Sequence, residues 1–143
     1  QAERGVLYAL LMGLEIDPDQ AGFAHTDAFS TAARRAIFTS YCARKGAGTF
    51  HDGRDLFEDV NEEGAAELST ILASSIPQET LPEVLRDCLF RLQTATLEKE
   101  YERHSELAQR YEKEGNEKFL EELQECRRIR MEIRNLRSAV PTR

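Results

Sequence analysis

Three cysteines, three histidines and a close pair of aspartates are the residues from which chemistry would have to be built in this chain. Their spacing builds none. A zinc site draws its Cys and His ligands in close pairs, because one turn or loop must deliver two of them to one ion. Cys42, Cys88 and Cys126 have no second Cys and no His within four positions. Each falls on the apolar side of an expected helix, so all three read as buried free thiols of a reducing compartment. His25, His51 and His104 are isolated and read as structural histidines. Asp17 and Asp19 flank Pro18 in a turn, where helix capping accounts for them as well as cation ligation does. There is no Gly-rich phosphate loop, no Gly-x-Ser-x-Gly and no His-Glu-x-x-His. Phe29, Phe38, Tyr41 and Phe57 are core residues by spacing before they are a platform for stacked bases. The expected catalytic, cofactor and metal sites are therefore none.

What is left that can act on another molecule is charge, and it is unevenly distributed. Residues 1–97 carry 8 Lys and Arg against 15 Asp and Glu, the whole of the net charge of −7, while residues 98–143 carry 11 of each. Within that last third, residues 98–125 hold 5 basic and 10 acidic side chains, and residues 126–143 hold 6 basic and 1 acidic. The terminal basic cluster is Arg127, Arg128, Arg130, Arg134 and Arg137. Facing an acidic arm, these cations are expected to stabilise a hairpin across its flanks and to suit a helix C-terminus. Binding of nucleic acid would need them to outnumber nearby carboxylates, so little or no direct nucleic-acid binding is expected.

The elements that position these residues all follow helical periodicity, and none shows sustained strand alternation. The expected fold is all-α. At 143 residues the chain suits one domain, or a small domain with an appendage, with a core that needs no staples. It begins at Gln1 rather than Met, which suggests a piece of a longer protein, and no run of residues is apolar enough to span a membrane. A first helix is expected over about residues 2–14, closed by Ile16-Asp17-Pro18. A short turn or helix over Pro18 to Phe23 leads to Thr26 or Asp27, either able to cap a helix carrying Phe29, Ala33, Ile37, Phe38, Tyr41 and Cys42. Gly46 and Gly48 break that helix. Asp52 to Val60 gives one short helix, and Asn61 starts another that buries Ala65, Leu68, Ile71 and Leu72 and ends at Ile76-Pro77. Thr80, Pro82 and Glu83 read as a capping box opening a helix of some 34 residues that runs unbroken to Gly115.

The last third reads as two amphipathic helices folded back at Glu114-Gly115-Asn116. One apolar stripe runs through Leu97, Tyr101, His104, Ala108 and Tyr111, and another through Cys126, Ile129, Ile133, Leu136 and Val140. Gly115 can end a helix in the left-handed conformation and Asn116 can cap the next. Gln93 to Thr96 is poor in large apolar residues and marks the expected division between a helical body, residues 1–96, and a C-terminal hairpin, residues 97–143. Such a hairpin is either the last pair of helices of a bundle or an arm that meets a partner.

Taken together, the opening Glu3-Arg4-Gly5-Val6-Leu7-Tyr8-Ala9-Leu10-Leu11, the Phe23 to Phe38 segment with Arg35, and the run from Leu97 through Glu114-Gly115-Asn116 to Leu136 carry a family resemblance over essentially the whole chain. The chain resembles the C-terminal helicase-binding domain of bacterial DnaG-type primases, a compact helical body followed by a helical hairpin, itself similar to the N-terminal domain of the replicative helicase. The Gly46-Ala47-Gly48-Thr49 loop and the Ser74-Ser75-Ile76-Pro77 junction match no signature of that family. The resemblance implies a non-catalytic domain without cofactor. It would dock a primase, the enzyme that makes RNA primers, onto the hexameric replicative helicase at the bacterial replication fork, in the cytoplasm and away from membranes. The hairpin would make much of the contact and the body would modulate helicase activity. Tyr111, Phe119 and Leu120 near the tip and Arg130, Arg134 and Arg137 on the terminal helix are the candidate partner-binding residues. The alternative is a helical RNA- or DNA-binding module that uses the terminal Arg cluster.

Overall fold

The computed structural model describes residues 2–16 and 28–139. The expectations placed on Asp17, Pro18, Asp19, Phe23, His25, Thr26, Asp27 and Val140 lie outside them. Among the described residues every regular element is helical: α1 (Ala2–Leu11), α2 (Ala32–Ala47), a 3-10 helix (Gly53–Glu58), α3 (Glu62–Leu72), α4 (Leu81–Lys113) and α5 (Lys118–Ala139). The chain divides into two compact units, Gln1–Leu92 and Gln93–Arg143. The division falls at the first residue of the apolar-poor stretch Gln93 to Thr96. α4 contributes its start to the first unit and the rest to the second.

In the first unit α1 is the centre. All seven residues from Gly5 to Leu11 are buried, so this helix is covered all round rather than on one broad face. It packs against α2 and α3. Phe29, Ile37, Leu56, Leu68, Ile71, Leu81 and Leu89 close the core around it, each at most 1% exposed. Gly5 sets the approach of α4: a Cβ there would stand 2.6 Å from the Cys88 sulfur, closer than nonbonded carbon and sulfur tolerate.

Polar contacts tie the same helices. Glu67 of α3 accepts from Arg4 Nε of α1 at 2.6 Å and from Arg34 Nε of α2 at 3.2 Å. Glu3 accepts from the Ser30 amide at 2.6 Å and the Ser30 hydroxyl at 2.8 Å. The hydrogen bond from Arg4 holds the Glu67 carboxyl below its ordinary range against the opposing effect of burial, and Arg34 adds to it. Asp59, which follows the 3-10 helix, accepts from Arg44 Nε and from the Ser40 hydroxyl, each at 2.6 Å.

The helix ends show which local signals act. α1 stops at Leu11, earlier than expected, because Gly13 takes φ 95° while the amides of Gly13 and Leu14 reach back to Leu10 and Ala9 at 3.1 Å. α2 ends in the same motif at Gly48, and Gly46 stays inside the helix. Its start is capped by Thr31, whose hydroxyl oxygen accepts from the Arg34 amide at 3.1 Å. Asn61 caps α3 as expected, and α3 finishes at Leu72, before Ile76-Pro77. Thr80 immediately precedes α4, and its hydroxyl donates to the Pro77 carbonyl at 3.0 Å. A reciprocal capping box is present at the 3-10 helix, between Asp52 and Asp55.

In the second unit α4 ends at Lys113, and Gly115 at φ 69° lets the Asn116 amide reach the Tyr111 carbonyl at 2.8 Å. The Asn116 side-chain oxygen then accepts from the Lys118 amide at 3.0 Å and starts α5. Both expected roles at this turn are realised.

Candidate functional site

The two helical arms of the second unit meet along one seam. Leu97, Ala108, Cys126 and Ile129 are buried in it, and Tyr101, His104, Tyr111, Ile133 and Leu136 are half-buried along its margins. Ring and sulfur contacts stitch the arms together: His104 Nδ1 bonds the Glu122 carboxylate, and the Cys126 thiol points to the Tyr101 carbonyl at 4.0 Å. Burial pushes the Cys126 thiol up, as it does for Cys88, so neither is primed as a nucleophile. Cys42 departs from expectation. It is exposed, because it lies about 100° further round α2 than Tyr41 and so past the edge of the buried face. His51 is exposed beside the 3-10 helix, and among the described residues no three His, Cys, Asp or Glu side chains gather as metal ligands would.

The charge on α5 is arranged differently from the flank-to-flank pairing expected of the hairpin. Arg128 pairs within its own helix, with Glu125 at 2.7 Å and Glu132 at 2.9 Å. Across the hairpin, the ion pair among the described residues is Arg137–Glu98, at 3.7 Å with both side chains more than half exposed, beside the His104–Glu122 hydrogen bond. Arg130 lies over the Tyr101 ring, its guanidinium carbon 5.1 Å from the ring centre, and donates to the Tyr101 hydroxyl. Among the described residues the side chains of Arg127 and Arg134 make no hydrogen bond or ion pair. The expected complementarity is realised, among the described residues, at Arg137 alone; Arg128 turns instead to its own helix, where residues three and four apart are nearer partners than residues on the facing arm.

The candidate residues fall into two groups. Arg130, Arg134 and Arg137 line one side of an open groove of about 710 Å³, with Glu98 and Glu102 of α4 on its other side and Tyr101 and Ile133 between. Tyr111 and Phe119 are half-buried on either side of the Gly115-Asn116 turn. Leu120 is 55% exposed, and it is not alone: Leu123 and Met131 are 49% and 51% exposed. With Arg127 between them, these residues are spaced three, four and four along α5, a second stripe turned away from the seam. Leu120 is legible from its place beside the turn, whereas Leu123 and Met131 are masked in the sequence by the seam series on the other side of the helix. The 120, 123, 127, 131 spacing was the available signal. Tyr101 belongs to the seam by its spacing, and its ring also forms the groove.

No described helix is long and apolar enough to cross a membrane. The chain matches no protein-family model, no curated protein and no solved structure.

Proposed function

We propose that the chain is a non-catalytic docking domain that ties a bacterial primase to its hexameric replicative helicase, the hairpin making the contact and the body modulating the helicase. The observation that carries this reading is the stripe of Leu120, Leu123 and Met131 on α5. Large apolar groups half in water on a helix already packed along another side are what a surface that buries a partner requires, and a few such anchors supply most of a binding free energy. The family resemblance supplies the identity of the partner, and bacterial cytoplasm at the replication fork is the matching location.

The test is binding of the chain to the replicative helicase of the same source. Replacing Tyr111 and Phe119 together by Ala should weaken it by about 2 kcal/mol, a factor of about 30, with helix content retained. No binding by the unaltered chain would remove the helicase reading, and unchanged affinity in the double variant would move the contact away from the tip. A second reading, nucleic-acid binding, draws on Arg127 and Arg134, whose side chains are unpaired among the described residues. It predicts submicromolar DNA binding near physiological salt, lost when Arg130, Arg134 and Arg137 become Glu. The net charge of −7 and the acidic side chains of the facing arm argue against that result.

A further inference from the structure

The groove on the hairpin is polarised across its width. Glu98 and Glu102 stand on the α4 side, Arg130, Arg134 and Arg137 on the α5 side, and the Tyr101 ring and Ile133 supply apolar surface between them. The three cations are not equivalent. Arg130 is held over the Tyr101 ring and bonded to its hydroxyl, and Arg137 is engaged by Glu98 through an exposed pair of little energetic weight. Arg134 makes no side-chain bond among the described residues. At a rise of about 1.5 Å per residue, these cations sit about 6 Å and then about 4.5 Å apart along the axis, the repeat of side chains on one side of another helix.

We propose that this groove receives a single helix of a partner protein, whose apolar stripe is flanked by carboxylates along one edge and by cations along the other, and that it docks in one direction only. The carboxylates meet Arg134 and Arg137, the cations meet Glu98 and Glu102, and the stripe covers Tyr101 and Ile133. Reversing the helix would exchange its two edges and set like charges against both sides of the groove, which is costly at an interface. A nucleic acid offers negative charge alone and is repelled by the α4 side. Docking adds a third helix to a two-helix seam and covers flanks that two helices leave wet. The inference rests on the docking reading above for its partner class but does not require that the partner be a helicase.

The experiment uses the full chain and a synthetic Leu-heptad peptide about three heptads long, with Glu along one edge of its stripe and Lys along the other. A spin label at one peptide end should broaden the nuclear resonances at one end of the groove only. Arg134→Glu should lower peptide affinity at least about tenfold, because it places like charge at the contact. Exchanging the sides, with Glu98→Lys, Glu102→Lys, Arg134→Glu and Arg137→Glu in one chain, should restore binding with the label at the opposite end. A peptide with Glu on both edges, and oligothymidylate, should each bind at least about tenfold more weakly than the mixed peptide. Equal broadening at both ends, tighter binding of oligothymidylate, no groove resonance perturbed at millimolar peptide, or self-association of the chain through this groove would each overturn the proposal. A parallel arm with the hexameric helicase separates the two readings. Peptide affinity unchanged by Arg134→Glu overturns the groove and spares the helicase, whereas peptide docking without helicase binding does the reverse.

Discussion

The two units of the chain use apolar residues in opposite ways. In Gln1–Leu92 they converge: α1 is covered on every side, and seven large side chains around it are at most 1% exposed. In Gln93–Arg143 they diverge, since each arm spends its best apolar residues on one seam and α5 carries a second set, Leu120, Leu123 and Met131, into water. A finished core gains nothing more from a partner. An open second stripe does, which is why the docking proposed above is assigned to the hairpin rather than to the body.

The largest expected effect tests that contrast directly. Leu68 is fully buried, and Leu68→Ala should cost about 3 to 5 kcal/mol of unfolding free energy through lost transfer energy and the cavity left behind. Leu123→Ala, removing the same atoms from the α5 stripe, should change stability by less than about 0.5 kcal/mol. Urea titration followed by circular dichroism measures both. Comparable losses would mean that Leu123 is already covered in the free chain, and the case for an open docking stripe would fail.

A smaller effect sharpens the account of the body. Gly5→Ala places a methyl group 2.6 Å from the Cys88 sulfur, an overpacking that should cost about 1 to 3 kcal/mol even though Ala favours the helix. In a Cys88→Ala background the nearest obstacle is gone. The same substitution there should become neutral or stabilise by up to about 1 kcal/mol. If the penalty at Gly5 is the same in both backgrounds, something other than the α1–α4 approach demands glycine.

These contrasts also explain what the sequence could and could not disclose. Helical periodicity and local stop signals depend on neighbours in the chain, so the all-α fold, the Asn61 cap and the Gly115-Asn116 turn were legible directly. Gly13 is masked by Ile16-Asp17-Pro18, a stronger stop three residues later, yet a left-handed glycine two residues after Leu11 closes the helix first. Contacts between distant residues were not legible. Nothing in the spacing of Arg4, Arg34 and Glu67 announces that three helices bring them together, and charge counts alone could not show that Arg128 pairs along its own helix while the Arg134 side chain makes no pair among the described residues. Of the candidate site, the Arg residues and Leu120 could be named from sequence, but the groove needs Tyr101, Glu98 and Glu102 placed opposite them.

The smallest expected effect concerns pH and separates the units once more. Asp59 is held at a pKa of about 2, below its ordinary 3.8, first by the hydrogen bond from Arg44 and then by the Ser40 hydroxyl, with its own desolvation opposing. A carboxyl whose pKa is lower folded than unfolded contributes stability that is complete above the unfolded value and is lost as pH falls toward the folded one. The body should therefore lose part of its stability between about pH 4 and about pH 2. Asp59→Asn removes the titrating group while keeping a side chain that can still accept from Ser40. It should lower stability at neutral pH and flatten the acid slope in that window, and the difference between the two proteins should shrink as pH approaches 2. Thermal midpoints at several pH values, read from near-ultraviolet signals of the aromatic residues, report on this. Parallel acid curves for the two proteins would show that the Arg44–Asp59–Ser40 contact does not link α2 to the end of the 3-10 helix in solution.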